Sequence, residues 1–209
     1  MPNWELEDKV GGLVCGVDEA GRGPWVGPVV AGAVVFLNRD ISPELINGVN
    51  DSKKLSAARR RHLYEMLLKE EQNGNLCLAT GQASAAEIDS LNILEATFLA
   101  MERAVEKLKV KPCHALIDGN RLPVSFCCNT SCHIGGDGYS YSIAAASIAA
   151  KVVRDNLMTE MAKLYPGYGF EKNAGYGTKE HVAGLKKFGV TPEHRKSYKP
   201  IKELLEKSA

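Results

Sequence analysis

The sequence predicts a single α/β domain built around a mixed β-sheet, with additional helices at its C-terminal end. Short apolar segments rich in β-branched residues alternate with longer segments whose apolar residues recur every three or four positions, as expected for strands and amphipathic helices. The predicted order is β-β-α-β-α-β-β-α, which combines adjacent strands with strand–helix alternation. A length of 209 residues suits one domain with its own core.

The chain begins with two predicted strands. Residues 13–18 and 28–37 are apolar runs rich in valine, the pattern of strands that are buried on both faces. The segment between them contains three glycines around Pro24, which predicts an irregular, tightly turned backbone.

The middle of the chain predicts two helices and a third strand. Ser56 is a suitable cap for a helix that ends near the Asn-Gly pair at 73–74. A strand is predicted at residues 76–82. The helical spacing of apolar residues then runs from Asn92 and ends before Pro112.

The second half predicts two more strands, at residues 114–119 and in the extended segment 124–134. A long helix follows, whose many alanines predict close packing against its neighbours and which ends at Pro166. Beyond it, a loop rich in Gly and Tyr leads to a helix capped by Thr178, and a last helix is predicted to start at Thr191.

Composition narrows the class of protein. Hydrophobic residues make up 44% and charged residues 24% of the chain, which is typical of globular proteins and unlike disordered or fibrous ones. No apolar segment approaches the roughly 20 residues that cross a bilayer, and the N-terminus lacks a signal-peptide pattern. We therefore expect a cytoplasmic protein without a membrane partner, in which the six cysteines are free thiols.

The net charge of +1 is unevenly distributed. Residues 1–165 contain 17 Lys and Arg against 20 Asp and Glu, whereas residues 166–209 contain 9 against 5. A local basic excess can attract phosphate groups while the total stays near neutral. On charge alone, a solvated helix face is an equally good interpretation.

Acidic residues at the ends of predicted strands are the main functional lead. Asp18 and Glu19 follow the first strand, Asp118 ends the fourth, and Asp137 precedes the long helix. Converging carboxylates repel one another unless a cation joins them, and oxygen ligands without histidine suit Mg²⁺ or Mn²⁺. If these acids converge, they could hold two ions about 3.5–4 Å apart, as in-line attack on a phosphodiester requires. A capping or turn role is the alternative for each Asp.

Other chemistries are less well supported. The glycine spacing at residues 21–27 fits neither the dinucleotide-binding motif nor the P-loop. Cys128, Cys132 and His133 suggest zinc ligands, but alternate strand residues point to opposite faces, which favours ordinary buried thiols. No G-x-S-x-G segment indicates a serine nucleophile.

The segment GVDEAGRGPWVGPVVAGAVV at residues 16–35 resembles the N-terminal signature of bacterial ribonuclease HII, the type 2 ribonuclease H. The likeness continues in the expected order through NDSKKLS, EIDSLNILEAT, LIDGN, GGDGYSYSIAAASIAAKVVRD, PGYGFEKNAGYGT and EHRKSY. It covers nearly the whole chain. The resemblance implies a ribonuclease H-like mixed five-stranded sheet flanked by helices, with a catalytic domain at residues 1–165 and a basic helical extension at 166–209 packed on it.

The resemblance also implies an activity. Such an enzyme is a metal-dependent endonuclease that hydrolyses the RNA strand of RNA–DNA hybrids and incises duplex DNA 5′ to an embedded ribonucleotide, leaving 3′-hydroxyl and 5′-phosphate ends. It would serve in ribonucleotide excision and RNA primer removal. By the family pattern, Asp18, Glu19, Asp118 and Asp137 are catalytic and bind Mg²⁺ or Mn²⁺, one ion activating water and the other stabilising the leaving oxygen.

Substrate contacts follow from the same resemblance. Gly21, Arg22 and Gly23 correspond to the loop that senses the ribose 2′-hydroxyl through its backbone, and Tyr176 to the tyrosine that packs on the neighbouring sugar. The basic C-terminal region and three lysines are candidates for contacts to backbone phosphates. The three lysines are Lys53, Lys54 and Lys151.

One position departs from the family pattern, since Gly135 stands where a lysine is common, two residues before Asp137. Type 3 ribonuclease H is a weaker match, because it has an extra N-terminal domain and only about 12 residues precede the first predicted strand here. A non-catalytic nucleic-acid-binding module is disfavoured by the presence of all four acids. The C-terminal IKELLEKSA lacks a clamp-binding pattern, and we expect a monomer.

Overall fold

The structure, a computed structural model, describes residues 2–49 and 55–208. Five strands form one mixed sheet in the order β3-β2-β1-β4-β5. They are β1 (Val14–Ala20), β2 (Val29–Phe36), β3 (Leu76–Ala83), β4 (His114–Asp118) and β5 (Asn129–His133). The first three strands pair antiparallel, whereas β4 and β5 run parallel to β1. The predicted mixed sheet is thus confirmed.

Helices cover both faces of this sheet. They are α1 (Glu5–Val10), α2 (Pro43–Gly48), α3 (Ala57–Gln72), α4 (Ala85–Leu91), α5 (Ile93–Glu106), α6 (Tyr141–Leu164), α7 (Phe170–Asn173), α8 (Lys179–Phe188) and α9 (Lys199–Ser208). The hydroxyls of Ser56 and Thr178 cap α3 and α8 as predicted. Sequence reasoning missed α1, α2, α4 and α7, because one or two turns carry too little periodicity. Within the described ranges, no helix is long and apolar enough to span a membrane.

Two predicted boundaries are wrong. Only Asn129–His133 of the extended segment 124–134 pairs with a neighbouring strand. The last helix starts at Lys199 rather than Thr191, because the Thr191 amide and hydroxyl both contact Nδ1 of His194 and close a turn there. Lys53 and Lys54 lie outside the described residues.

Glycines in the strands allow the helices to approach the sheet closely. A Cβ on Gly16 of β1 would lie 2.1 Å from the backbone carbon of Ser142 in α6, and one on Gly32 of β2 would lie 2.3 Å from the carbonyl oxygen of Ala146. On the other face, a Cβ on Gly81 would lie 2.2 Å from the carbonyl oxygen of Ala100 in α5. The sheet is therefore tightly packed between α5 and α6.

The C-terminal segment packs on the same body. Val26 and Met158 share an apolar cluster with Tyr168, Phe170 and Ile201, all of them buried. This cluster lies beside the loop between β1 and β2, so the C-terminal helices are joined to the part of the chain that contains the predicted substrate loop.

We expect Gly16→Ala to destabilise the fold by about 1–3 kcal/mol or more, because the new methyl group would displace the α6 backbone. Gly138→Ala is the matched control, since a Cβ there meets nothing within 4 Å. Urea unfolding of both variants measures the difference. Equal stability of the two variants would show that α6 does not need this close approach.

Candidate active site

Three aspartates meet where the central strands end. Single carboxylate oxygens of Asp18, Asp118 and Asp137 all lie within 4.8 Å of one another. Asp18 and Asp118 come together because β1 and β4 are parallel neighbours in which Val17 pairs with Ile117, so the next residues of the two strands lie side by side. Asp18 and Glu19 were predicted to follow the first strand, but β1 continues to Ala20 and both acids lie within it.

The carboxylates of Asp18 and Asp118 lie on the same face of the sheet. Gly16 and Leu116, two residues before Asp18 and Asp118, pack against α6. Because side chains alternate between the two faces of a strand, both carboxylates lie on the α6 face.

Asp137 reaches the group through a glycine turn. It lies in a short 3₁₀ turn, Gly136–Gly138, just before α6. The Gly136 amide donates to Oδ1 of Asp118 at 2.8 Å, and a Cβ on Gly136 would lie 2.6 Å from Cδ1 of Ile143. Gly135 adopts a left-handed backbone with φ of 68°, which favours glycine at the position where the family commonly has lysine.

The environment of Asp18 indicates that the aspartate group suits a bound cation. Asp18 is 2% exposed, its Oδ1 accepts the Glu19 amide at 2.7 Å, and its buried Oδ2 has no hydrogen-bond partner within residues 2–49 and 55–208. Burial, followed by the charges of Glu19 and Asp118, raises the pKa of Asp18 well above its usual range. An oxygen-rich, charge-crowded group with an unpartnered carboxylate oxygen fits a hard divalent cation such as Mg²⁺ or Mn²⁺.

Glu19 lies beside this group rather than in it. Neighbouring residues of a strand point to opposite faces, so Glu19 faces the α5 side while Asp18 faces α6. Its Oε1 lies 3.4 Å from Nη1 of Arg22. Glu19, Arg22 and Asp118 line one cavity of about 320 Å³, which Arg121 also borders. The predicted metal-binding role of Glu19 stays a prediction.

Two buried arginines hold the loop after β1. Arg195 donates to the carbonyls of Gly21 (2.6 Å), Arg22 (2.8 Å) and Gly27 (3.0 Å). Arg154 lies directly behind the loop, since a Cβ on Gly21 would come within 1.9 Å of its Nε. The backbone of Gly21, with φ of 97°, therefore requires glycine.

Arg154 binds the next part of the loop. Its guanidinium donates to the carbonyls of Val26 (3.2 Å), Pro28 (3.2 Å) and Ala174 (3.1 Å). Burial, and then the charge of Arg195, lower the pKa of Arg154 to about 10. Sequence reasoning missed both arginines as functional residues, although each stands in a segment that carries the family resemblance, KVVRD or EHRKSY.

Tyr176 stands next to the loop. It is 52% exposed, and a Cβ on Gly23 would lie 3.3 Å from its ring. Its carbonyl oxygen lies 3.0 Å from Nδ1 of His181, whose Nε2 lies 3.1 Å from Nε2 of His194. The structure thus brings the predicted sugar-packing tyrosine beside the predicted ribose-sensing loop.

The two histidines form a neutral pair. The Thr191 amide donates to Nδ1 of His194, so the proton of His194 is on Nε2 and is donated to Nε2 of His181. The Nδ1–H of His181 then donates to the carbonyl of Tyr176. Burial lowers the pKa of both rings, that of His194 to about 4. The pair holds the carbonyl of Tyr176 through the Nδ1–H of His181.

The remaining predicted residues lie apart from the aspartates. Lys151 is ten residues into α6, about 15 Å along the helix. Its ammonium lies 2.6 Å from Oδ1 of Asp155. The six cysteines are free, and Cys15 and Cys77 are buried. The predicted burial of the thiols of Cys128 and Cys132 is wrong: Cys128 is half-buried and Cys132 is exposed, because β5 lies at the edge of the sheet. The potential metal-ligand group found in residues 2–49 and 55–208 is the aspartate group, and it includes neither cysteine nor histidine.

A mixed sheet with three aspartates grouped near the ends of its central parallel strands is the arrangement expected of a metal-dependent nuclease of the ribonuclease H type. The model of the ribonuclease HII family matches residues 15–201, and the chain belongs to this family. Ribonuclease HII of Jannaschia sp. (strain CCS1) is 53% identical over 204 residues, which cover 98% of each chain. The chain is therefore an endoribonuclease that hydrolyses phosphodiester bonds of RNA–DNA hybrids and depends on a divalent metal ion.

Solved structures support the fold. The crystal structure of ribonuclease H2 from Pyrococcus horikoshii OT3 superposes with a TM-score of 0.75 at 26% identity and covers 94% of this chain and 98% of that one. The structure of Bst-RNase HIII in complex with Mn²⁺ has a TM-score of 0.71 at 18% identity over 100% of this chain and 74% of that one, a likeness of fold alone. The match to the type 2 family decides against the type 3 alternative.

We expect Mn²⁺ to raise the melting temperature of the protein, because a cation that binds the aspartate group of the folded state adds binding free energy to folding. Asp18→Asn should raise the melting temperature without metal, since it replaces a buried carboxyl group crowded by other acids with an uncharged amide, and should abolish most of the Mn²⁺-induced increase. Thermal unfolding with and without Mn²⁺ tests both. A full Mn²⁺ response in this variant would contradict the assignment.

The histidine pair predicts a pH dependence of stability. Because the folded-state pKa values of His181 and His194 lie below the ordinary value of about 6.5, the unfolded chain takes up more protons as the pH falls. The contribution of His194, whose folded-state pKa is about 4, to the free energy of unfolding should therefore decrease by about 2 kcal/mol between pH 7.5 and pH 5. His194→Gln should reduce this decrease, whereas the exposed His62→Gln should not. An identical pH profile for both variants would be evidence against the pair.

Proposed function

We propose that the chain incises duplex DNA on the 5′ side of a single embedded ribonucleotide, as well as cutting RNA in hybrids, and leaves 3′-hydroxyl and 5′-phosphate ends. One observation carries this proposal. Asp18 of the aspartate group lies on β1, the glycine loop follows the same strand, and buried arginines hold this loop against Tyr176. A group suited to phosphodiester hydrolysis thus lies a few residues from a backbone that can approach a sugar closely.

We assign the metal site to Asp18, Asp118 and Asp137, with Glu19 at its margin, and expect Mg²⁺ or Mn²⁺. When bound, the metal supplies an activated water and stabilises the leaving oxygen. The chain contributes the orientation of the carboxylates. Asp118 is held by the Gly136 amide and Asp18 by the Glu19 amide, so two of the three carboxylates are oriented before a cation binds.

Recognition of the ribose is assigned to Gly21, Arg22, Gly23 and Tyr176. The 2′-hydroxyl both donates and accepts hydrogen bonds and is the group that distinguishes RNA from DNA at one nucleotide. Backbone amides can bind it without selecting a base. The half-exposed Tyr176 ring beside Gly23 offers an apolar face for the neighbouring sugar.

Contacts to the duplex backbone are assigned to basic side chains farther from the aspartates. Lys151 would exchange its pairing with Asp155 for a phosphate oxygen, and Lys53 and Lys54 are proposed from the family pattern alone. The basic surplus of residues 166–209 would add long-range attraction to the duplex. Such contacts position the substrate without specifying sequence.

Asp118→Asn should reduce cleavage of a duplex with one ribonucleotide by at least about 100-fold in Mg²⁺ or Mn²⁺, because it removes one carboxylate of the metal site. Circular dichroism should show an unchanged fold. Asp40→Asn, an exposed change of the same chemistry, is the control and should retain full activity. Preserved turnover in Asp118→Asn would remove this residue from the metal site.

Tyr176→Ala should decrease kcat/KM on the single-ribonucleotide duplex about tenfold or more, since sugar or base packing on an aromatic ring contributes about 1–3 kcal/mol. The decrease on a continuous RNA–DNA hybrid should be smaller. Tyr176→Phe keeps the ring and shows what the hydroxyl adds. An equal loss on both substrates would refute a role at the RNA-to-DNA step.

A further inference from the structure

The guanidinium of Arg195 lies behind the glycine loop and is completely buried. Besides the three loop carbonyls, its Nη1 donates to the hydroxyl of Tyr198 at 2.9 Å. That hydroxyl donates in turn to the carbonyl of Arg22, which therefore accepts from both side chains. Arg195 and Tyr198 together bind the carbonyls of Gly21 and Arg22.

The turn that carries these side chains is itself held in place. Asp89 of α4 accepts the amides of Lys196 (2.9 Å) and Ser197 (2.8 Å), together with the Ser197 hydroxyl (2.6 Å). The Arg195 amide donates to the carbonyl of Trp25 at 2.8 Å. No ion pair of Arg195 occurs in the part of the chain that the structure describes; its guanidinium donates to three backbone carbonyls and to the Tyr198 hydroxyl.

Because the peptide group is planar, these contacts to the carbonyls also fix the direction of the loop amides. In a trans peptide the carbonyl of one residue and the N–H of the next point in opposite directions, and the described chain contains no cis peptide. Because Arg195 binds the carbonyls of Gly21 and Arg22, the N–H groups of Arg22 and Gly23 point away from Arg195. Neither N–H has a backbone or side-chain partner within residues 2–49 and 55–208.

Two successive free amides make a pair of donors for an oxygen of the substrate. They lie on the segment that follows Glu19, and Gly23 adjoins Tyr176. A ribose hydroxyl or a phosphate oxygen at the cleavage site is the chemical group that such donors bind.

We propose that Arg195 and Tyr198 are positioning residues for ribose recognition. They hold the carbonyls of Gly21 and Arg22 inward, so that the amides of Arg22 and Gly23 are presented to the sugar at the cleavage site. This inference rests on the proposed function, in which the same loop senses the ribose. It gives the C-terminal segment a role in substrate selection that is independent of its positive charge.

The test compares two tyrosine-to-phenylalanine variants. Tyr198→Phe removes a hydroxyl that donates to the loop carbonyl of Arg22, and Tyr168→Phe removes one that donates to the carbonyl of Gly189 at 2.8 Å, away from the loop. Both variants lose a hydroxyl–carbonyl hydrogen bond, and Tyr198→Phe also loses the bond that its hydroxyl accepts from Arg195, so its melting temperature should decrease somewhat more than that of Tyr168→Phe. On a duplex with one ribonucleotide, kcat/KM should decrease about fivefold or more for Tyr198→Phe and less than about twofold for Tyr168→Phe.

Two further measurements separate positioning from general destabilisation. The Mn²⁺-induced increase in melting temperature should be unchanged in Tyr198→Phe, because the aspartate group is intact. Arg195→Lys keeps the charge but replaces a directed fork of donors with one ammonium, so it should decrease kcat/KM more than Tyr198→Phe does. If Arg195→Lys does not fold, the tyrosine pair decides the question.

The outcomes are distinct. If the wild-type protein does not cut the single-ribonucleotide duplex, the proposed function fails. If the wild type cuts it and Tyr198→Phe and Tyr168→Phe lose the same small amount of activity, the proposed function stands and the positioning role of Tyr198 and Arg195 is refuted. A selective loss in Tyr198→Phe with an unchanged Mn²⁺ response supports the inference.

Discussion

The close contact between α6 and the central strands is the constraint on which the rest of the structure depends. Gly16 and Gly32 leave no room for a side chain between β1 or β2 and the backbone of α6. Asp18 lies two residues after Gly16 on the same face and is consequently buried against α6. The turn that precedes this helix brings Asp137 to the same place. One packing interaction thus creates both the aspartate group and the desolvation that makes it receptive to a cation.

The same helix links the aspartate group to the substrate loop. Arg154 projects from α6 toward the loop after β1, where its guanidinium binds the carbonyls of Val26 and Pro28. The C-terminal segment completes this arrangement through Arg195, whose donors bind the first half of the loop. A loop with three glycines has high conformational freedom in isolation. Here its carbonyls are satisfied by two side chains that burial holds in place.

The positions of the charged residues in this protein are more informative than its net charge. The net charge is +1, yet the interior contains an aspartate group at one end of the sheet and two buried arginines beside it. Burial lowers the pKa values of Arg154 and Arg195, and the backbone carbonyls around them provide the hydrogen bonds that a carboxylate usually would. Within residues 2–49 and 55–208, Oδ2 of Asp18 has no hydrogen-bond partner, which keeps this oxygen available for a cation. The C-terminal basic surplus is partly internal: Arg195 is buried and acts on the loop.

Local sequence determined the elements of the fold, because strands, helix caps and amphipathic helices depend on residues that are neighbours in the chain. The strands at Val14–Ala20 and His114–Asp118, the cap at Ser56 and the long helix after Asp137 were all predictable, and so was the convergence of acids from different elements. Metal binding by these particular residues stays a prediction. The likeness to ribonuclease HII, carried by motifs along nearly the whole chain, also came from sequence and was confirmed by the family match.

Tertiary structure alone decided how these elements combine. It left Glu19 out of the carboxylates that meet within 4.8 Å, since strand alternation sends Asp18 and Glu19 to opposite faces and only packing shows which face α6 covers. It also assigned Arg195 and His194 to the interior, although the same residues in a basic C-terminal segment suggested a solvent-exposed surface. Burial and hydrogen-bond partners depend on residues more than 160 positions away, as in the contact between Arg195 and Gly27. Residue type and spacing indicate which side chains are candidates for a functional site, whereas long-range packing determines which of these side chains come together.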